Sequence, residues 1–501
     1  MKTFFNYQYN PLSNVEQLII SIEHAIMQKP NWRQKICQEE AYKMIRMVMP
    51  ELVTEKIKWY HEIIIRKWMT ELIESIDQKY NPEKIFQYAL SELRWLAKQK
   101  FDRYLDGVWG SSILIDNDRR NRLRILSQAL EKGKPIDWHP GSKNQVRNLI
   151  HPSLYPLIRG VSRDQNGKVI PELEVERSKM DSVSKIYQWL PTEVSVEETG
   201  VVFTSKVNNY DLSGEIDPVL GEILFEMLPL FELVLHDLEH REDRIESVRV
   251  RYKEGDKHYA AIEIYKNTTK KEYDSYDDEL WDELTENYYH LTEPIQPEVP
   301  AFVPLVRKDK ILPKNLQVIV KMANIELTPN DPVYSGGSWH VEGMENENIV
   351  ATGIYYYDIK NITATKLAFR RAFDDFDIDY EQNDDDGVEK VFNIISEQSL
   401  CVNNLPSVEI KEGLAMVFPN TYQHLVEPFE LMDKSQPGHR KILVFWLIDP
   451  SNRVLSTKDV LETPITPHQA LEHRLKLMNE RSHHQDQNYG DRIREVSLCE
   501  H

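Results

Sequence analysis

Four residues carry the chemistry in this sequence: His340 and Glu342 in Tyr334-Ser-Gly-Gly-Ser-Trp-His340-Val-Glu342-Gly343, and further on His424 and Arg440. Two imidazoles and a carboxylate are the donor set of a metal ion bound on one face, with open positions opposite for reactants. In a strand, residues i and i+2 point to the same side, so His340 and Glu342 are expected to aim at one point. The third ligand must come from a neighbouring strand, and His424, just after the apolar run Leu414 to Pro419, is the candidate. The His-x-carboxylate pair is cheap by itself. With 16 His and 81 acidic residues in 501, composition supplies about 2.6 such pairs, and the chain holds three: His240-Arg-Glu242, His340-Val-Glu342 and His484-Gln-Asp486. The first lies in a charged, helix-like stretch, where i and i+2 diverge, and the third in a polar tail. Only His340-Val-Glu342 sits between Gly-rich turns and a strand.

Arg440 follows the turn Asp433-Lys-Ser-Gln-Pro-Gly438 and opens the apolar run Lys441 to Ile448. The order suggests a hairpin with His424 on its first arm and Arg440 on its second. A guanidinium there grips a carboxylate bidentately, which an ammonium cannot; Lys321 and Lys441 are the substitute anchors. Blander readings exist for each residue. His340-x-Glu342 could be a structural turn, His424 a half-buried histidine, and Arg440 the ion-pair partner of Glu427 or Asp433.

The chain must supply the elements that hold these groups. A hydrophobic share of 41% with 10% aromatics can build a core. A net charge of −20 argues against nucleic acid as a partner; it serves solubility, and it also allows a cationic small substrate. Cys37, Cys401 and Cys499 are too few and too far apart for a disulfide framework or a cysteine zinc site. No apolar stretch approaches the ~18 residues of a membrane span, and no leader is apparent in MKTFFNYQYNPLSN. A soluble, cytoplasmic protein is expected, with its oligomeric state open. Asn361-Ile-Thr363 matches a glycosylation sequon in a chain with no other sign of secretion.

Hydrophobic periodicity divides the chain into four parts: a helical region over 1–135, a mixed segment over 136–310, a β-rich core over 311–455, and a C-terminal helix with a flexible tail over 456–501. In the first part, Val15 to Met27, Ala41 to Ile76, Glu83 to Leu105 and Asn117 to Ala129 read as helices. In the second, Lys185 to Val207 reads as short strands and Gly221 to His240 as an apolar helix that Pro229 should kink or split. Val248 to Lys266 reads as a hairpin, and Thr268 to Glu298 as an acidic, aromatic loop. In the third, Leu316 to Leu327, Ile349 to Asp358, Leu414 to Pro419 and Lys441 to Ile448 read as strands, with Asp374 to Asp386 a solvated loop. Alternation puts Tyr355 and Tyr357 on one face and Tyr356 and Asp358 on the other, so that Tyr356 can line the pocket. Asn346 and Asn348 could orient the ligands from behind. Arg370 or Arg371 could meet the substrate, but a surface salt bridge to the nearby aspartates is the simpler account. Several short strands between turn signals indicate an α+β chain whose C-terminal half is a barrel or jelly roll.

His340-x-Glu342, His424 and Arg440, in this order, resemble the iron(II)/2-oxoglutarate dioxygenase superfamily. More narrowly, GGSWHVEG, ATGIYYYD and NITATKLAFR, with YQWLPTEV and Val207 to Asn209 upstream, resemble a family of large fungal and bacterial proteins known only as a domain of unknown function. The likeness runs over roughly residues 10 to 455. It implies a double-stranded β-helix (jelly-roll) core behind an extensive helical N-terminal region. It further implies iron(II) on His340, Glu342 and His424, 2-oxoglutarate as co-substrate anchored by Arg440 (or Lys321, beside Tyr356), and O2 as oxidant. Hydroxylation of an unactivated C–H in a small metabolite or amino acid is the expected outcome. Two departures stand out: Glu342 where Asp is commoner, and a 16-residue step from His424 to Arg440, slightly long. A carboxylate at 342 leaves no place for a halide, so halogenation is not expected. Two other classes fit parts of the pattern: a zinc hydrolase on the same three ligands, and a non-catalytic β-barrel binding protein.

Overall fold

In the computed structural model the described residues are 99–490, apart from 134–135, 177–181, 211–215, 240–248, 275–276, 296–300, 305–311, 373–377, 383 and 393, together with single residues between 70 and 96 and residue 496. The expected helices over 15–27 and 41–76, and the pair His240-Arg-Glu242, lie outside them or nearly so.

In chain order the elements are β1 (Asp102–Leu105), β2 (Val108–Ser111), α1 (Asn117–Gly133), β3 (Asp137–Trp138), β4 (Val146–Ile150), β5 (Leu157–Ile158), β6 (Tyr187–Gln188), β7 (Thr192–Glu197) and β8 (Gly200–Phe203). Then come α2 (Pro218–Glu239), α3 (Lys257–Thr269), α4 (Asp278–Asn287), β9 (Asn315–Leu327), β10 (Val333–Tyr334), β11 (Ile349–Lys360), β12 (Thr365–Ala372) and α5 (Asp385–Phe392). The last are β13 (Val402–Ile410), β14 (Ala415–Pro419), β15 (Gln423–Val426), β16 (Phe429–Glu430), β17 (Gly438–Ile448) and α6 (Pro467–Gly490).

The chain is α+β, with six α-helices among the described residues and a large antiparallel sheet. That sheet has the order β1-β2-β14-β11-β17-β9-β4-β3, with β7 and β8 joining beside β9. A second sheet, β13-β12-β15, is separate. The apolar run of β17 is continuous because both its faces are covered. On one face, Leu443, Phe445 and Leu447 join Tyr355, Tyr357, Ala415 and Val417 against helix α2. On the other, Val444, Trp446 and Ile448 meet Tyr356, Met416 and Phe418, and across from them Leu367, Phe369, Leu405 and Val408 of the second sheet. The first face is outer and helix-covered; the second faces the interval between the sheets. Gly353 lets α2 come close to the outer face: a Cβ there would lie 2.6 Å from Phe231 Cζ.

Several expectations need correction. Glu83 to Leu105 does not stay helical to its end, since β1 and β2 are strands that extend the large sheet from β14. Pro229 does not split α2. Thirteen buried residues of that helix, at about 1.5–3 kcal/mol for each large side chain, outweigh the ~3 kcal/mol penalty of an internal proline. Val248 to Lys266 is not a hairpin: Asp256 caps helix α3 by accepting from the Tyr259 amide at 2.8 Å. The acidic stretch after it holds α4, capped by Asp277. Asp384, expected in a solvated loop, is buried and meets Lys257 Nζ at 2.9 Å. The polar tail forms helix α6 as far as Gly490, held by Arg474 on Asp137 at 2.6 Å and by Arg481 on Glu347. His424 and Arg440 are not on two arms of one hairpin. β15 pairs with β12 in the second sheet, whereas β17 pairs with β11 and β9 in the first. The chain therefore changes sheets after Pro419 and again before Gly438.

Candidate metal centre

His424 lies on β15 opposite Phe369, its ring against Phe418 (centroids 4.9 Å apart) and Phe369 (6.4 Å). Those aromatic walls leave it 3% exposed. The segment before His340 runs antiparallel along the free edge of β15: the Gly337 amide donates to the Val426 carbonyl at 2.9 Å, and His340 and His424 exchange both backbone hydrogen bonds, at 3.2 and 3.0 Å. The two histidines thus form a directly opposed cross-strand pair with ring centroids 4.3 Å apart. His340 makes a single bridge rather than a strand, and Glu342 sits in the loop beyond it. The i, i+2 rule is not what aims the carboxylate; the loop does. Asn420 fixes that loop, accepting from the Glu342 amide at 3.0 Å and donating to the Glu342 carbonyl at 2.8 Å. Gly343 turns the chain with φ +71, where a Cβ would strike Glu347.

The result is a compact donor set. Glu342 Oε1 is 3.7 Å from His340 Nε2 and 3.5 Å from His424 Nε2, and one ligand atom from each residue lies within 4.8 Å of the others. His340 Nδ1 is 2.8 Å from the Ser338 carbonyl. A carbonyl only accepts, so the proton is on Nδ1 and the Nε2 lone pair is free to bind a metal. Burial opposes charge on all three groups, with different outcomes. The two imidazoles hold the Glu342 carboxyl well below the usual range in spite of burial. Burial would lower His340, but the adjacent carboxylate raises it. Burial lowers His424, and His340 lowers it further. One anion thus serves two nearly converged imidazoles, an arrangement a divalent cation satisfies better than a single proton does. Among the described residues no other group of His, Cys, Asp and Glu is so arranged.

Beneath the loop lies Glu347, 0% exposed. It accepts from the Met344 amide at 2.8 Å, from the Trp189 amide, and from Arg481 of α6. The Arg481 guanidinium covers the Trp189 ring at 3.8 Å, and Trp189 stacks on Trp446 at 5.0 Å.

Arg440 projects from β17 into the space between the sheets. It is 2% exposed, bonds Thr365 Oγ1 at 3.0 Å, and lies 5.5 Å from the Tyr356 ring centroid and 5.6 Å from that of Phe429. Among the described residues no carboxylate comes within 4.0 Å of it. Glu427 instead takes the Ser407 hydroxyl and Asp433 takes Ser435, so neither is its ion-pair partner. Burial lowers the pKa of Arg440, yet a guanidinium stays charged. Lys321 also faces inward, its ammonium 5.7 Å from the Trp446 ring centroid. Lys441 faces outward and is 2.8 Å from Glu131, which removes it as an anchor. A bulge at Tyr357 turns Asp358 outward as well, to His439 at 3.0 Å, so Asp358 does not share a face with Tyr356. Asn346 ties the loop to the Ser184 amide at 3.0 Å and the Tyr187 carbonyl at 3.1 Å, and Asn348 reaches the Asn452 carbonyl; neither touches a ligand. Arg370 bonds Gln423 at 2.6 Å and covers Trp339 at 4.5 Å, and the aspartates at 374, 375 and 377 lie outside the described residues. The sequon residue Asn361 is a turn clamp, donating to three carbonyls between Asp433 and Pro437. Asn420, Thr365 and Ser338 were missed; Ser338 and Asn420 lie within four positions of His340 and His424, which was a signal, whereas Thr365 is 75 positions from Arg440 and left none.

The family model for DUF4246, a protein of unknown function, matches residues 83–463. No curated protein matches the chain. Among solved structures, the Fe(II)/(alpha)ketoglutarate-dependent dioxygenase TqaL is 10% identical, with 82% of this chain and 94% of that one covered and a TM-score of 0.28. IDO from Bacillus thuringiensis is 13% identical over 28% of this chain and 49% of its own, with a TM-score of 0.17. A non-heme monooxygenase, in the ThoJ-Ni complex, is 11% identical over 34% and 66%, also at 0.17. The chain thus spans about half the length of the IDO it matches. At these scores the likenesses carry no argument about chemistry.

Proposed function

The chain belongs to the DUF4246 family, and from there we propose an iron(II)- and 2-oxoglutarate-dependent oxygenase acting on a small molecule, built on a double-stranded β-helix. The observation that carries this reading is the pairing of a two-histidine, one-carboxylate cluster with a buried arginine that has no carboxylate of its own among the described residues. His340 and His424 would give Nε2 atoms and Glu342 one oxygen to iron(II), and the donor types suit that ion. Bound there, iron(II) with O2 and 2-oxoglutarate supplies oxidation of an unactivated C–H to an alcohol, with succinate and carbon dioxide as co-products.

The remaining work falls to side chains. Arg440 offers its guanidinium to the far carboxylate of 2-oxoglutarate, and Thr365 holds that guanidinium in place. Tyr356 and Phe429 wall the guanidinium and keep water from it, which strengthens a charge pair formed there. Phe369 and Phe418 fix the His424 ring, and the Ser338 carbonyl sets the His340 tautomer. A zinc hydrolase on the same ligands would have no use for Arg440. The two sheets facing each other, with the chain crossing between them on either side of β15, support the β-helix reading. No helix among the described residues is long and apolar enough to cross a membrane.

The test is anaerobic titration of the iron(II) protein with 2-oxoglutarate, followed optically. A charge-transfer band of the chelated keto acid is expected in the intact protein and absent in His340→Ala. An intact protein that binds iron(II) and shows no band would sink the co-substrate assignment.

A further inference from the structure

Arg440 accounts for one inward-facing cation, and Lys321 is a second. The β9–β17 register sets Arg440 beside Ile325 and Val444 beside Lys321. Four residues of strand separate the two positions, about 13 Å of backbone. They therefore do not serve one carboxylate from the same place. Lys321 lies at the metal end: it acts electrostatically on Glu342 and His340, whereas Arg440 acts on Tyr356 and Tyr334.

Apart from Glu342, the groups around Lys321 are apolar or basic. Trp446 lies under the ammonium. His139, just past β3, and His151, just past β4, stack with centroids 5.2 Å apart. His139 is half-buried, and the side chain of Asn148 lies beside it. His151 accepts from the Ser153 amide at 3.2 Å through Nδ1, which leaves its other nitrogen as a donor. Burial first, and the nearby Lys321 charge second, hold His139 down at about 4 and His151 well below its usual value. Of the acidic groups nearby, Asp137 is engaged by Arg474 at 2.6 Å, and Glu342 is assigned to the metal. No carboxylate of the described residues lies within 4.0 Å of the ammonium. Lys321 is half-buried, and an inward-facing ammonium with no carboxylate within reach among the described residues is a ready partner for an anionic ligand.

We propose that Lys321, with His151 as a neutral donor beside it and His139 stacked on that ring, receives an anionic group of the substrate, a carboxylate or a phosphate, while Arg440 keeps the co-substrate. This rests on the oxygenase reading for the role of Arg440 and names the substrate class for the same centre. It replaces the cationic substrate that the −20 net charge allowed: the sign of the surface is not the sign of the interior.

The experiment is titration calorimetry on the full chain loaded with Mn(II), which needs neither oxygen nor turnover. 2-Oxoglutarate is titrated first. Then acetate, butanoate and hexanoate form one arm and inorganic phosphate a second, each with and without saturating 2-oxoglutarate. At least one arm is expected to bind with 2-oxoglutarate present, tenfold or more weaker in Lys321→Met and restored in Lys321→Arg. 2-Oxoglutarate binding should change less than twofold in Lys321→Met and fall sharply in Arg440→Ala. The arm that responds decides between carboxylate and phosphate. Loss of 2-oxoglutarate binding in Lys321→Met would make Lys321 the co-substrate anchor and overturn the proposal, as would the absence of Lys321-dependent binding in both arms. Lys321-dependent anion binding with no 2-oxoglutarate binding at all would leave the anion site standing and remove the oxygenase reading.

Discussion

Arg440 and Lys441 are neighbours on β17, both basic and both buried, yet they meet opposite fates. Lys441 points to the helix-covered face and is matched there by Glu131 and, at 4.0 Å, Asp358. Arg440 points between the sheets and meets a hydroxyl and two aromatic rings. The same contrast holds across the large sheet. On the outer face Trp109 donates to Asp237, Tyr357 to Ser127 and Asn324 to Glu131. On the inner face Lys321 and Arg440 lack carboxylates, and the Tyr356 hydroxyl has no hydrogen-bond partner among the described residues. The Tyr355 hydroxyl of the outer face is also unpartnered among the described residues, so the contrast lies in the charges. An outer face whose cation is paired serves folding, and an inner face whose cations are left open is arranged for something that is not part of the chain.

The hardest way to break this contrast is at the metal. His424→Ala should lower metal affinity by more than about 100-fold, beyond the range that outer partners of a ligand produce. Metal content after dialysis reads this directly, and retention of a full equivalent would remove His424 from the centre. Next come the two neighbours on β17, compared as a pair. Arg440→Ala should weaken 2-oxoglutarate binding at least about 30-fold, the ~2 kcal/mol floor for losing one partner of a buried charge pair, and lower Tm less than Lys441→Ala does, because it costs packing and the Thr365 bond but no ion pair among the described residues. Lys441→Ala should do the reverse. It strands Glu131, whose side chain is 19% exposed, at a cost of roughly 1–3 kcal/mol after allowing for solvent, and leaves co-substrate affinity unchanged. If both substitutions act alike, the distinction between the faces fails.

Much of the centre was legible because its signals were local. His340, Glu342, His424 and Arg440 stand out by residue type, and β9, β11, β14 and β17 by their apolar runs. What was not legible depended on sheet membership. The stretch from His424 to Arg440 reads as a single hairpin because nothing in residue type marks a chain that leaves one sheet for another. The face of Asp358 was misread because a bulge at Tyr357 resets the alternation, and bulges leave little trace in composition. Lys321, Arg440 and Lys441 differ only in what lies opposite, and those partners are far away in sequence: Glu131 is 310 positions from Lys441.

Smaller effects sharpen the picture. Asn420→Ala removes the clamp on both backbone groups of Glu342 and should reduce metal affinity about tenfold, the lower end for such partners. An unchanged affinity would mean that the loop holds itself. The smallest effect concerns pH. His139 is held down to about 4 in the fold, chiefly by burial. Its neutral form is the stabilised one, so its contribution is present above the unfolded value near 6.5 and is lost as pH falls toward 4. Tm should decline across that window, and His139→Gln should flatten the decline.

Arg481 bonds Glu347 beneath the loop that carries Glu342, and it comes from a helix that begins only at Pro467, far beyond His340 and His424. A ribosome delivers both histidines and the carboxylate well before it delivers that guanidinium. On the oxygenase reading, the nascent chain would hold the three side chains on a turn clamped by Asn420 and Asn346 but not yet by Arg481, and firm loading with metal would wait until α6 has docked. Full-length protein refolded without metal and then given iron(II) should reach the same occupancy as protein refolded with it, whereas a chain stopped just before Pro467 should exchange its metal faster.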